Sequence, residues 1–174
     1  MKRLLMSALA LGMVCSAPMA HATRYSWLQN GGASCQSLES SYDIGRNFNG
    51  VWNRSNVATT VYCPAQLENQ YMDSTYVPTN INDVYVRYYD GSPNQSIVCW
   101  PYAVNGSGGV SMGPSQTSAV GIEYNSFTWW SPFSTIDLTQ DHWQLMIKCQ
   151  FPQNQSYQSA IFDYQFTVKY PNRN

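Results

Sequence analysis

Charge is scarce in this chain of 174 residues: 11% are Asp, Glu, Lys or Arg, and there are two histidines. Nine Lys and Arg stand against ten Asp and Glu, and the basic residues are scattered rather than clustered. Proteins that grip phosphates need clustered cations, so nucleic acid is not an expected partner. Long apolar runs are missing too. Nothing after the first few residues is long enough to cross a bilayer as a helix, so no transmembrane segment is expected in the mature chain. Metal motifs are also absent. No two cysteines stand at the short spacing of a zinc site, and the acidic and amide residues at Asp73, Asn80, Asn82 and Asp83, or at Asp137 and Asp141, do not follow the EF-hand pattern. The expected metal and cofactor content is therefore none. Helical periodicity is lacking as well, apart from a turn near Ser37 to Tyr42.

The first residues carry an address. Lys2 and Arg3 precede the apolar run Leu4 to Val14, and Ala20-His21-Ala22 offers small residues at the positions a signal peptidase reads. Residues 1–22 are therefore expected to be a cleaved signal peptide, and 23–174 a single domain. Cys15 leaves with the leader; Val14 before it is too large for a lipoprotein signal.

Four cysteines remain, Cys35, Cys63, Cys99 and Cys149, an even number in a chain expected to be exported, which reads as two disulfides. Of three pairings, Cys35 with Cys63 and Cys99 with Cys149 is favoured, because neighbours in sequence commonly share a local sheet. Three cysteines sit late in an apolar strand with proline just beyond, at Cys63-Pro64, Cys99-Trp100-Pro101 and Cys149-Gln150-Phe151-Pro152. Disulfides are thus expected to staple strand ends where proline stops the ladder.

Alternation of apolar and polar residues runs through the rest. Trp143, Leu145, Ile147, Cys149 and Phe151 form one face of a strand. Phe162, Tyr164, Phe166, Val168 and Tyr170 form one face of another, with Asp163, Gln165, Thr167 and Lys169 opposite, and the two strands are expected to make a C-terminal hairpin. Val84, Val86 and Tyr88 alternate with Tyr85, Arg87 and Tyr89 before the turn residues Asp90 to Asn94, and Ile97 to Trp100 resumes an extended run, so a second hairpin is expected there. Val57 to Cys63, a short strand at Trp52-Asn53 and Val120 to Tyr124 complete the set; Val104 to Gly109 and Ser111 to Ser118 read as loops. The expected fold is an all-β antiparallel β-sandwich stabilised by two disulfides, with a β-barrel as the alternative.

The segments Gly50-Val51-Trp52-Asn53-Arg54-Ser55, Val61-Tyr62-Cys63-Pro64, Val84 to Gly91, Val98-Cys99 and Ile147 to Pro152 together resemble a group of small secreted proteins from proteobacteria. That resemblance implies export, disulfides and a β fold. The group carries no established activity, so it supplies no site residue.

Function must come from chemistry. The mature chain has one histidine, His142, on the outward side at the start of a strand, and its cysteines are claimed by disulfides, so no catalytic residue is assigned. The acids Asp73, Asp83, Asp90, Glu123, Asp137, Asp141 and Asp163 offer pairs for a glycosidase-like mechanism without a spacing that selects one. Aromatics give the other lead. Trp129 and Trp130 are adjacent, so on a strand one must face away from the core. Tyr85 and Tyr89 share a face opposite Val84 and Val86, a platform suited to the apolar side of a sugar ring, although sandwiches also bury such residues. The favoured expectation is an exported, secreted or periplasmic binding domain for glycan or a protein surface, with Trp129, Trp130, Tyr85 and Tyr89 as ligand-binding candidates. The alternative is a small secreted hydrolase using a carboxylate pair.

Overall fold

The computed structural model describes residues 24–37, 43–65, 80–133, 136, 143–153 and 158–169. The expected leader at 1–22, His142, Asp73, Asp137, Asp141, Tyr170 and most of the turn near Ser37 to Tyr42 lie outside them. Among the described residues no helix is long and apolar enough to cross a membrane.

In chain order the elements are β1 (Arg24–Asn30), the single-turn helix α1 (Gly31–Ser34), β2 (Ile44–Asn47), β3 (Gly50–Asn53), β4 (Thr59–Pro64), β5 (Asn80–Asp90), β6 (Val98–Val104), β7 (Val110–Met112), β8 (Gln116–Thr117), β9 (Glu123–Trp130), β10 (Gln144–Phe151) and β11 (Ala160–Lys169). They form two antiparallel sheets. The larger runs β2-β3-β11-β5-β9, with β1 also paired to β11; the smaller runs β4-β10-β6-β7, with β8 also on β6. Among the described residues neither sheet closes on itself, and the fold is a sandwich and not a closed barrel.

The core is the meeting of the two inner faces. From the larger sheet come Val51, Val84, Val86, Tyr88, Phe127, Trp129, Ile161, Tyr164 and Phe166, and from the smaller Val61, Ala103, Leu145, Ile147 and Phe151, all buried in one cluster. In β4 and β10 every second side chain is buried. Such strict alternation is what one buried face requires.

Both disulfides pair as expected, Cys35 with Cys63 and Cys99 with Cys149. Their roles differ. Cys99 and Cys149 face each other in register across β6 and β10, inside one sheet. Cys35 instead ties the segment after β1 and α1, on the larger sheet's side, to β4 of the smaller sheet, helped by mutual backbone bonds between Gln36 and Tyr62. Proline ends a strand at Pro64 and follows β10 at Pro152, but Pro101 lies inside β6. It is tolerated because its edge of the strand faces the gap between β7 and β8, where its carbonyl accepts a 2.9 Å bond from the Gly113 amide and no neighbour needs its missing N–H.

Two expected hairpins are corrected. β10 and β11 lie in different sheets, as do β5 and β6, so each pair is a crossing between layers. Alternation fixes which face of a strand is buried and is silent about which strand lies beside it. The loop expected at Ser111 to Ser118 contains most of β7 and all of β8, and the strand expected at Val120 to Tyr124 starts at Glu123 and continues to Trp130.

Candidate functional site

The site is assembled where the chain crosses between the layers. Three crossings, β5 to β6, β8 to β9 and β10 to β11, are tied together by Asp90, whose carboxylate is fully buried. One oxygen accepts the Ser92 amide at 3.0 Å and the Ser159 hydroxyl at 2.9 Å; the other accepts the Ile97 amide at 3.2 Å and the Ser118 hydroxyl. A fourth crossing, β3 to β4, is held by Asn53. Its amide nitrogen donates to the Val57 and Pro152 carbonyls, both at 2.8 Å, while its oxygen accepts from the Ser55 amide and the Thr59 hydroxyl. Buried polar groups with every partner filled make a stiff scaffold.

Beside these ties the outer face of the larger sheet turns aromatic. A β-bulge in β11 inserts Phe162 between Ile161, opposite Tyr88, and Asp163, opposite Arg87. The extra residue shifts the alternation. Ile161 takes the core position and Phe162 goes outward, the reverse of the sequence expectation. There its ring lies parallel to that of Tyr124, with centroids 5.9 Å apart and 9° between planes, and Tyr124 in turn meets Tyr89 at 4.4 Å. Tyr89 and Tyr124 are opposite each other in register on β5 and β9. Tyr124 remains 75% exposed, a large aromatic surface offered to solvent.

Trp52 completes the wall from β3. Its partner in β2 is Gly45, and a Cβ there would fall 2.1 Å from the indole, so the ring lies flat across the glycine. A glycine that lets an aromatic cover it from the facing strand is a known device of sheets. Gly91 plays a similar part: a Cβ would meet the Gln158 carbonyl at 2.4 Å, which brings the segment before β11 against the end of β5. The result is an open groove of about 310 Å³, with Trp52, Tyr89, Tyr124 and Phe162 as its aromatic lining and Asn47, Asn49 and Gln158 as its amides, closed below by Gly50 and Ala160. No lining residue carries a charge. Asn47 also accepts the Asn49 amide at 2.8 Å, which fixes the turn between β2 and β3.

The sequence-derived candidates divide. Tyr89 is in the groove. Tyr85 and Trp130 are on the same outer face of the larger sheet, Tyr85 half-buried and Trp130 73% exposed. Trp129 is not on the surface: it is buried in the core, its indole N–H donating to the Pro114 carbonyl at 2.8 Å. Trp52, Tyr124 and Phe162 were not among the candidates.

The acids within the described residues are all engaged. Asp90 is the buried tie, Arg87 pairs with Asp163, and Asn82 donates to Asp83 at 2.6 Å. Glu123 accepts the Tyr88 hydroxyl at 2.7 Å. That bond first, with those from Asn125 and Ala119, holds Glu123 below its ordinary carboxylate range, while burial, followed by the bond and charge of Glu123, pushes the Tyr88 phenol up. Among the described residues no three metal-ligating side chains come together. One string, Gly109-Val110-Ser111-Met112-Gly113, spells the nucleophile-elbow pattern. Its serine lies in β7, paired with Ala103, and not on the sharp strand-to-helix turn that exposes a nucleophile.

No protein-family model matches the chain, and no curated protein matches it. Among solved structures, a family 29 carbohydrate-binding module from Piromyces equi is similar over 84% of this chain and 91% of its own, at 8% identity and a TM-score of 0.46. A carbohydrate-binding module from the family 9 glycoside hydrolase Cel9A of Ruminococcus flavefaciens FD-1 is similar over 84% of this chain and 98% of its own, at 13% identity and a TM-score of 0.41. Identities this low leave the function of this chain to be read from its own residues.

Proposed function

We propose that this chain is a non-catalytic binding domain whose groove takes a neutral glycan. The observation that carries the reading is the cluster of Tyr89, Tyr124 and Phe162, with Tyr124 exposed and the other two half-buried, inside a groove edged by amides. A pyranose ring has an apolar C–H side and a rim of hydroxyls. Aromatic faces take the first, and the amides of Asn47, Asn49 and Gln158, each both donor and acceptor, take the second. The groove lies at the low end of the size range of small-molecule sites, about 300–1,000 Å³, which fits a sugar unit or two. The lack of charge in its lining argues for an uncharged ligand, since a charged one would be desolvated without a counter-charge.

Two disulfides in a small domain belong to an oxidising compartment, so the proposed place of action is the periplasm or the medium. The apolar run after Lys2 and Arg3 supports the same reading.

The test is retention on a panel of insoluble and soluble neutral polysaccharides by the oxidised protein, with Trp52→Ala and Tyr124→Ala beside it. Losing one stacking ring costs on the order of 1–2 kcal/mol of binding, about a five- to thirtyfold fall in affinity. Tyr124 is too exposed for its loss to unfold the domain. No retention by the wild type across the panel, or equal retention by both variants, overturns the proposal.

A further inference from the structure

The groove continues into a longer surface. β5 and β9 pair without interruption from Asp83 opposite Trp130 to Asp90 opposite Glu123. Moving away from Tyr89 and Tyr124 along the outer face, the pairs are Arg87 with Ser126, Tyr85 with Thr128, and finally Trp130. Tyr124 and Trp130 are six residues apart, which on an extended strand is about 20 Å. That is longer than any single sugar ring.

The middle and far end of this track have chemistry of their own. Arg87 and Asp163 form an ion pair across β5 and β11. The pair itself carries no net charge, and the guanidinium retains N–H donors beyond the one that meets the carboxylate; Asp83, opposite Trp130 at the far end, adds a carboxylate that accepts from Asn82 and can accept from a hydroxyl. Trp130 at the far end does no work in the core, because its neighbour Trp129 is the one buried there. The backbone holds Trp130 at the strand's end all the same: Ser131 follows in a left-handed conformation, with φ 45°, and its amide donates to the Asn82 carbonyl at 2.7 Å. A non-glycine residue in that region costs free energy, and such residues gather where a neighbouring group must be aimed.

We infer that the ligand is an extended neutral polysaccharide laid along this face, with Trp130 and Tyr85 as a second stacking subsite and the Arg87–Asp163 pair meeting hydroxyls between the two. This inference rests on the groove reading and deepens it. Affinity then depends on chain length, because a short oligosaccharide reaches only the groove and a longer one reaches both aromatic ends.

The experiment is calorimetric titration of the oxidised protein with cello-, manno-, xylo- and galacto-oligosaccharides in series of increasing length. In at least one series the affinity rises about tenfold or more from the shortest binding member to one that spans the track, the equivalent of one further stacking contact. Trp130→Ala flattens that rise, and Tyr85→Ala lowers it. Binding of short members with no gain for longer ones, or the same gain in Trp130→Ala, overturns the track and leaves the groove reading standing. Absence of binding in every series, the shortest members included, overturns both.

Discussion

Replacing Asp90 by alanine should destabilise the domain by about 4 kcal/mol, since a buried donor stripped of its partner costs about 1–3 kcal/mol. The figure follows from which donors are stranded. Four hydrogen bonds end on this carboxylate, but two of the donor groups have other bonds nearby. The Ile97 amide also donates to the Ser118 hydroxyl at 2.8 Å, and the Ser159 hydroxyl also accepts the Gly91 amide at 3.2 Å. The Ser92 amide has only Asp90 among its side-chain acceptors, and both hydroxyls lose their acceptor. One fully stranded amide and two hydroxyls that must reorient give the estimate. Asp90→Asn keeps one acceptor oxygen and puts an N–H group toward the donors of Ile97 or Ser92, so about half that loss is expected. Urea unfolding of the oxidised protein reads the change as a lower midpoint at constant slope, and thermal unfolding as a fall of roughly 10 °C for a chain of this size. A loss under about 1 kcal/mol for Asp90→Ala would refute the view that this carboxylate ties the three crossings.

Other outcomes follow from the same contacts. Gly45→Val should push the Trp52 indole out of the groove and lower glycan affinity about as much as Trp52→Ala does, checked by titration together with indole fluorescence. Replacing both Cys99 and Cys149 by alanine opens a link 50 residues apart in sequence, and should cost about 4 kcal/mol in the chain-entropy account, measured by urea unfolding. Burial pushes the Tyr164 phenol up to about 12, against an unfolded value of about 10. The fold thus favours the neutral phenol, and its contribution is whole below pH 10 and lost as pH rises through 12. Tyr164→Phe should flatten the alkaline limb of a stability-versus-pH curve over that window.

Much of the fold can be read from residue order. Alternation placed Leu145, Ile147 and Cys149 inward and Tyr85 and Tyr89 outward, and the cysteine pairing followed from sequence neighbourhood. What alternation cannot carry is the identity of the neighbouring strand. β5 and β6, or β10 and β11, look like hairpins because a turn joins two amphipathic strands, yet each connection passes from one sheet to the other. The groove was half legible for a related reason. Tyr89 obeys the simple period, whereas Phe162 reaches the surface only because one inserted residue changes the parity of β11. Nothing in Ala160 to Tyr164 announces that bulge. Trp52 did leave a trace in the glycine at position 45, but the trace has meaning only once β2 and β3 are in register. Asp90, legible as an acid in a turn, turned out to serve the scaffold, because the hydroxyls it meets are far away in sequence.

The account stands most directly on where a bound sugar touches the molecule. A two-dimensional NMR titration of isotope-labelled protein, with a neutral oligosaccharide from the retained polysaccharide, reports the indole of Trp52 and the side-chain amides of Asn47, Asn49 and Gln158 separately from everything else. The groove account predicts that these signals move first and saturate together, while Trp100 on the opposite sheet stays still. Movement confined to that opposite sheet, where the Lys148 ammonium lies over the rings of Tyr62 and Trp100 at 5.9 and 5.6 Å, would contradict it.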